Sequence, residues 1–481
     1  MAFSWIKLAA HWIRSAFNMD PEHSFWEYLP DIAVIEVFKH LGDRDRVNMA
    51  LVCKNWNRLL GTPCLWRSRH FDMAGYRAQI IGTRACKYAE RFGSYLKRLT
   101  ITCSHPSYHT CKYFQKAMED MIGRLHRAQL EEFEMERLEL DRFWKYESPR
   151  ERLINSFVRF FKTQKSLQYF DMSMGQFPVP GGCRILEAVA HGSGDKVSDM
   201  LIEDFFHSRL AVFQVRRYIT SIAKFTNIKY LALNYNCLSE DIVEIFSKNL
   251  AGKLEAVNIK VYRNDPHFHH ISGYAWRLLK AACPRLRVAF WLESMGHSSE
   301  IIPILVKDIP VWDIHLWTGY DDDAEWHLAQ TIDHITDSYG HIIESVSLEL
   351  DNNHEMVDES LYRLVSRCKI LGALNINAII LTSTVEIICQ MQLENKISLG
   401  FSSCLISSTV PGPQQLYPGR CFSPRYLPHE TPDLEQLNIT CCSLTEVEWL
   451  ELEYIKEKYK EMIESRGLSF KFSSDMLIDS T

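Results

Sequence analysis

The chain has 481 residues, 46% apolar and 24% charged, a globular composition with room for two or three domains or one elongated repeat domain. A formal charge of -6 argues against a nucleic-acid binder, which normally carries a basic face. No apolar run reaches the ~18 residues of a membrane span. The 14 cysteines form no C-x-x-C and no repeated spacing, so they read as free thiols of a reducing compartment, cytoplasmic and/or nuclear.

Residues 1–24 form an amphipathic N-terminal extension. Trp5, Leu8, Ala9, Trp12, Ile13 and Ala16 share one helical face, Lys7, His11 and Arg14 lie off it, and no acid precedes Asp20. That pattern suits an organellar presequence or an interfacial helix. Met19 opens the phrase MDPEHSFWEYLPD, so the segment also reads as a dispensable extension.

Residues 25–70 predict three short amphipathic helices. Pro30 marks the entry, with Asp31 at the N-cap, and Val34, Val37, Phe38 and Leu41 recur at i, i+3, i+4 and i+7. Gly42 stops that helix, and Asp43 caps a second one carrying Val47, Ala50 and Leu51. A third brings Trp56, Leu59 and Leu60, and Leu65-Trp66 closes the unit. So small a bundle cannot bury all these side chains alone. Its surplus apolar surface needs a partner.

The order Leu29-Pro30, Val37-Phe38, Leu41, Val52-Cys53-Lys54, Trp56 and Leu65-Trp66-Arg67 closely resembles the F-box. The resemblance implies docking onto a Skp-type adaptor and, through it, the cullin and RING subunits of a ubiquitin ligase. The anchors expected to bind the adaptor are Leu29, Pro30, Val37, Phe38, Leu51, Val52, Trp56 and Trp66. Ile32 replaces a usual acidic residue, and Arg46 replaces an apolar one, which is expected to weaken packing of the second helix on the adaptor. The alternative is an unrelated three-helix subdomain packed on its own chain.

After a connector at 71–95, the phrase Leu-x-x-Leu-x-Ile recurs with apolar substitutions through 96–442. Its copies begin at Leu96, Leu130, Leu167, Val197, Ile228, Leu254, Leu286, Val311, Ile343, Leu371 and Leu434. Most are 25–37 residues apart, and the last gap of 63 predicts one more strand at 396–401. This resembles the leucine-rich repeat at the long end of its period. Residues 228–238, IKYLALNYNCL, hold the full pattern, including Asn236, expected to bond neighbouring turns; Asp351 takes that place in the Ile343 copy. Helical stretches such as 239–250 and 358–371 lie between strands. The expected fold is α/β: a three-helix F-box, then an irregular solenoid, a horseshoe with an inner parallel sheet and outer helices. An unrelated α/β fold is the alternative.

Within this class GDRDR (42–46), LELDR (138–142), LNYNC (233–237) and NNHE (352–355) resemble the F-box only protein 39 type, from about residue 25 to 400. Segment 404–433 holds six of the 17 prolines and reads as an inserted loop, with Ser423-Pro424 as a phosphorylation candidate. A capping helix is expected at 443–466, opened by Thr445-x-x-Glu448 and closing the solenoid with Val447, Leu450, Tyr454, Met462 and Ile463. A tail follows at 467–481.

None of the common phosphate, dinucleotide, zinc or nucleophile motifs occurs. His267, His269 and His270 lack a second ligand cluster, and Asp321-Asp322-Asp323 lacks calcium-loop spacing, so no metal, cofactor or catalytic residue is expected. What such repeats do is bind. Period-two alternation turns Glu132, Glu134, Glu136, Asp171, Asp199, Glu203, Tyr230, Phe290 and Trp317 toward the concave face as client-binding residues. The expected function is a non-catalytic, substrate-recognising subunit of a Skp-cullin-F-box ubiquitin ligase, with a protein client of basic character. The alternatives are a non-degradative F-box scaffold and an enzyme without a recognised motif.

Overall fold

The structure is a computed structural model that describes residues 29–395 apart from 74–77, 104–107, 141–146, 208, 264, 267, 320–325 and 353–354. Beyond these it describes 405–406, 436–440, 446–461 and 469–473. The N-terminal extension, the strand expected at 396–401, Ser423-Pro424, the Asp321–Asp323 run and nearly all of the proline-rich insert lie outside the described residues.

Helices α1 (Asp31–Lys39), α2 (Asp43–Ala50) and α3 (Lys54–Leu60) appear where apolar spacing placed them. The caps differ by one residue. Pro30 and Gly42 hold the N-cap positions, and Asp31 and Asp43 lie in the first turns. Their carboxylates there face the positive helix ends and pair with distant arginines, Asp31 with Arg58 and Asp43 with Arg69. Phe38 meets Trp56 edge-on, ring centroids 6.2 Å apart, inside the bundle.

An eleven-stranded sheet follows, in strict chain order. Its strands are β1 (Ser68–Asp72), β2 (Arg98–Thr102), β3 (Glu132–Glu136), β4 (Tyr169–Asp171), β5 (Asp199–Ile202), β6 (Tyr230–Asn234), β7 (Ala256–Tyr262), β8 (Arg287–Glu293), β9 (Val311–Trp317), β10 (Ser345–Glu349) and β11 (Ala373–Asn377). Every neighbouring pair is parallel. Parallel neighbours need a long crossover, and crossovers of one hand bring each helix back over the same face. The helices accordingly pack on one another in sequence. In β3, Phe133 and Met135 are buried on the helix side, while the three glutamates alternate to the open side. Phe133 meets Phe161 edge-on at 5.0 Å and joins Phe157 and Phe170 in an aromatic layer.

The solenoid starts before its first recognisable phrase. β1 pairs with β2 from Ser68↔Arg98 to Asp72↔Thr102, and the helix Ala78–Phe92 packs on Tyr108–Arg124. Most of the expected connector is therefore the first turn of the stack. Trp66 stacks on Phe92 at 3.9 Å, and the Tyr88 hydroxyl donates to the Trp66 carbonyl at 2.7 Å. The three-helix unit and the solenoid share one core.

Asn236 behaves as its pattern requires: it is buried, and its Nδ2 donates to the Leu210 carbonyl at 2.9 Å. In the Ile343 copy the expected Asp351 is replaced by Asn352. Asn352 donates to the Ile379 carbonyl and accepts from its N–H, both at 2.8 Å, which an acid cannot do.

The other end departs from expectation. The Leu434 copy forms a strand, Gln436–Thr440, but it pairs with Ser469–Ser473 in a separate two-stranded sheet. The helix Glu446–Lys458 lies against Thr382–Asn395, as a cap would. Leu452, Ile455 and, just past its end, Tyr459 are buried, whereas Leu450 and Tyr454 are exposed. The apolar spacing allowed either face, and the structure uses the other one.

Candidate functional site

Two surfaces stand out, one on the three-helix unit and one on the open face of the sheet. On the first, Leu29, Phe38, Trp56 and Trp66 are buried within the chain, and the Trp66 indole donates to the Leu60 carbonyl at 2.6 Å. With 8% or less of their surface exposed, these four residues support the unit from within rather than offer a contact face. Val37 is half-buried. Pro30, Leu51 and Val52 are exposed, Leu51 to 76% and Val52 to 62%. Ile32 and Val47, which sequence reading did not count as anchors, are exposed beside them in the chain. Leu51, mostly exposed, forfeits most of the roughly 1.5–3 kcal/mol that full burial would return.

Arg46 braces this unit from within. Its guanidinium donates to the carbonyls of Phe38 (2.7 Å), Leu65 (2.9 Å) and Lys39 (3.2 Å), with the Trp66 ring 5.6 Å away. It closes the C-terminus of α1, where carbonyls have no helical partner.

On the open face, Glu132, Glu134 and Glu136 are half-exposed and tied to β2: Arg98 pairs with Glu132 at 3.0 Å, and Thr100 and Thr102 donate to Glu134 and Glu136. Asp199 and Glu203 are half-exposed as well, Asp199 accepting from the Ser198 hydroxyl. Asp171 is not available: it is 0% exposed and accepts from the Ser173 N–H (2.8 Å) and hydroxyl (2.7 Å). Tyr230 is buried beside Tyr169, Leu201 and Ala256, its hydroxyl accepting from Asn258 at 2.7 Å. Large side chains in one row across adjacent strands cover one another, which period-two reasoning does not register.

Phe290 lies in the core, not on the open face. It pairs in register with Ile259 and Ile314, both core residues, and is itself in the core. In this repeat one residue, not two, separates buried Leu286 from the first inward strand position, Val288. A bulge between Val288 and Ala289 absorbs the offset, with Val311 and Asp313 as their partners. The slip turns Phe290 inward and Trp291 outward. Sequence reasoning missed Trp291 because the run VAFWL alternates equally well in either register.

Trp291 stacks on His315 with centroids 3.6 Å apart and planes 7° from parallel. Beside it Lys260, only 13% exposed, pairs with Asp204 and Glu293 at 2.8 Å each. Burial opposes its charge, but the two carboxylates hold its pKa above that of a free lysine. Trp317 is half-exposed between Glu293 and Glu349, its register partners on β8 and β10. His315 lies 3.3 Å from Glu349. Burial and the Lys260 charge push the imidazole down to about 4.

Among the described residues no group of three His, Cys, Asp or Glu is arranged to hold a metal, and His269 lies stacked between Phe213 (3.9 Å) and Tyr235 (4.8 Å). No described helix is long and apolar enough to cross a membrane.

Residues 26–72 match the F-box-like family model. Over 300 residues the chain is 20% identical to F-box/LRR-repeat protein 21 of Mus musculus, which covers 61% of this chain and 65% of that protein. Over 48 residues it is 42% identical to F-box/LRR-repeat protein 12 of both Mus musculus and Homo sapiens, covering 10% of this chain and 14% of each relative. An F-box-like unit fused to an α/β leucine-rich-repeat solenoid places this chain among proteins similar to the F-box/LRR-repeat proteins.

Proposed function

We propose that the chain is the client-recognising subunit of a Skp-cullin-F-box ubiquitin ligase. Its F-box-like unit holds the adaptor, its solenoid holds the client, and ubiquitin transfer takes place on other subunits. The supporting observation is the exposure of Leu51, Val52, Ile32 and Val47 on a small unit whose core is already filled by Phe38, Trp56 and Trp66. Large apolar side chains left in water on so small a body mark an interaction surface. The gain in rate comes from effective concentration, because client lysines are kept near a ubiquitin-charged enzyme. The motif similarities to the F-box only protein 39 type, and a cytoplasmic or nuclear site of action, belong to the same reading.

A double variant, Leu51→Asp with Val52→Asp, tests it by co-purification of adaptor and cullin from cells. Both side chains are exposed, so the far-ultraviolet spectrum and melting curve stay unchanged while recovery of both partners is lost. Normal recovery overturns the assignment. Client accumulation on ligase inhibition separates a degradative subunit from a scaffold.

A further inference from the structure

We infer that the client is gripped at the β8–β10 end of the open face, where Trp317 and Glu349 receive a cationic side chain, lysine or arginine, from a basic segment of the client. The inference rests on the client-recognition reading and moves its site away from the β3 glutamates.

Three observations lead there. The β8 slip brings Trp291 onto the open face, where it stacks on His315 and builds a flat wall beside Trp317. Aromatic faces held by their neighbours bind without paying for ordering. Next, the charges differ in how far they are already answered. Glu293 already pairs with Lys260, a cation it shares with Asp204. Glu349 is 30% exposed and faces His315, whose imidazole is neutral at physiological pH and brings no positive charge. Burial already raises the Glu349 carboxyl above its ordinary value, a strain that an arriving cation relieves. Finally, Glu349 stands opposite Trp317 in the β9–β10 ladder, so one cation reaches the indole and the carboxylate together. That pairing of ring and carboxylate suits a guanidinium or ammonium group. The β3 glutamates contrast with it. They already receive Arg98, Thr100 and Thr102, and the ring opposite Glu132, Tyr169 on β4, packs against Leu201, Tyr230 and Ala256.

The test is a titration of the full chain with a fluorescein-labelled decapeptide, (Arg-Ala)5, followed by anisotropy. Trp317→Ala and Glu349→Gln each weaken binding by about 3- to 30-fold, the range of a partly desolvated cation–π or charged contact. Trp317→Phe keeps the ring and retains most binding, which separates loss of contact from loss of fold. Glu134→Gln changes binding less than about 2-fold, as a distant screened charge should. The citrulline version of the peptide does not bind. Equal losses at Glu134→Gln and Glu349→Gln, or full binding by Trp317→Ala, overturn the site. Adaptor recovery is measured on the same preparations. If it is absent while peptide binding follows the expected pattern, the ligase reading fails and the docking site stands.

Discussion

Arg46 and Phe38 are joined side chain to backbone: the Arg46 Nε donates to the Phe38 carbonyl at 2.7 Å, eight residues earlier in the chain. The same guanidinium reaches Lys39 and Leu65, so one side chain ties the end of α1 to the turn before β1. Arg46→Met keeps the stem and removes every donor. It should destabilise the unit by about 1–3 kcal/mol, the cost of leaving part-buried carbonyls without partners. A lower urea midpoint measures this; an unchanged midpoint would mean that water satisfies those carbonyls.

Asn352 and Asp351 offer a contrast between adjacent residues. Asn352 is buried and makes both bonds to the Ile379 peptide, whereas Asp351 is half-exposed. Asn352→Ala should cost about 1–3 kcal/mol, because it strands the part-buried N–H and carbonyl of Ile379. Asp351 is half-exposed, so Asp351→Ala should cost less than Asn352→Ala. Thermal unfolding of the two variants decides which residue carries the repeat.

His315 gives stability a slope with pH. Its folded pKa is lowered to about 4, from 6.5 for the free side chain, so the unfolded chain takes up the proton first. Its contribution is therefore intact above pH 6.5 and declines as pH falls toward 4, by at most about 3 kcal/mol. His315→Gln should flatten the stability profile over that window. An unaltered profile would mean that the imidazole titrates normally, with Glu349 compensating its charge.

The repeats were legible because each copy carries its own signal, and even irregular spacing left Leu99, Phe133 and Leu231 correctly inward. Errors fell where one residue changes everything. The shortened approach to β8 exchanged Phe290 for Trp291, and nothing in the five apolar letters VAFWL opposes either register. On the F-box-like unit the motif identified important residues without saying whether they face inward or outward. Phe38, Trp56 and Trp66 match the pattern as fully as Pro30 and Val52, yet they support the surface from beneath. Asp171 and Tyr230 were misplaced for a third reason: alternation gives the side of the sheet, and neighbours across the strands decide the burial.

The stack of Trp66 on Phe92 has a mechanical consequence. Because β1 begins two residues after Trp66 and the Tyr88 hydroxyl holds its carbonyl, no slack chain lies between the helices and the horseshoe. On the proposed ligase reading, a tethered receptor would let its client swing, so that many lysines take turns at the enzyme. A welded one holds its cargo at a set bearing, and only lysines whose own flexibility spans the remaining gap are modified. Selectivity among lysines would then be decided by the client's geometry. Lengthening this junction with a few glycines should broaden the modified positions, provided that circular dichroism shows both the helices and the solenoid still folded.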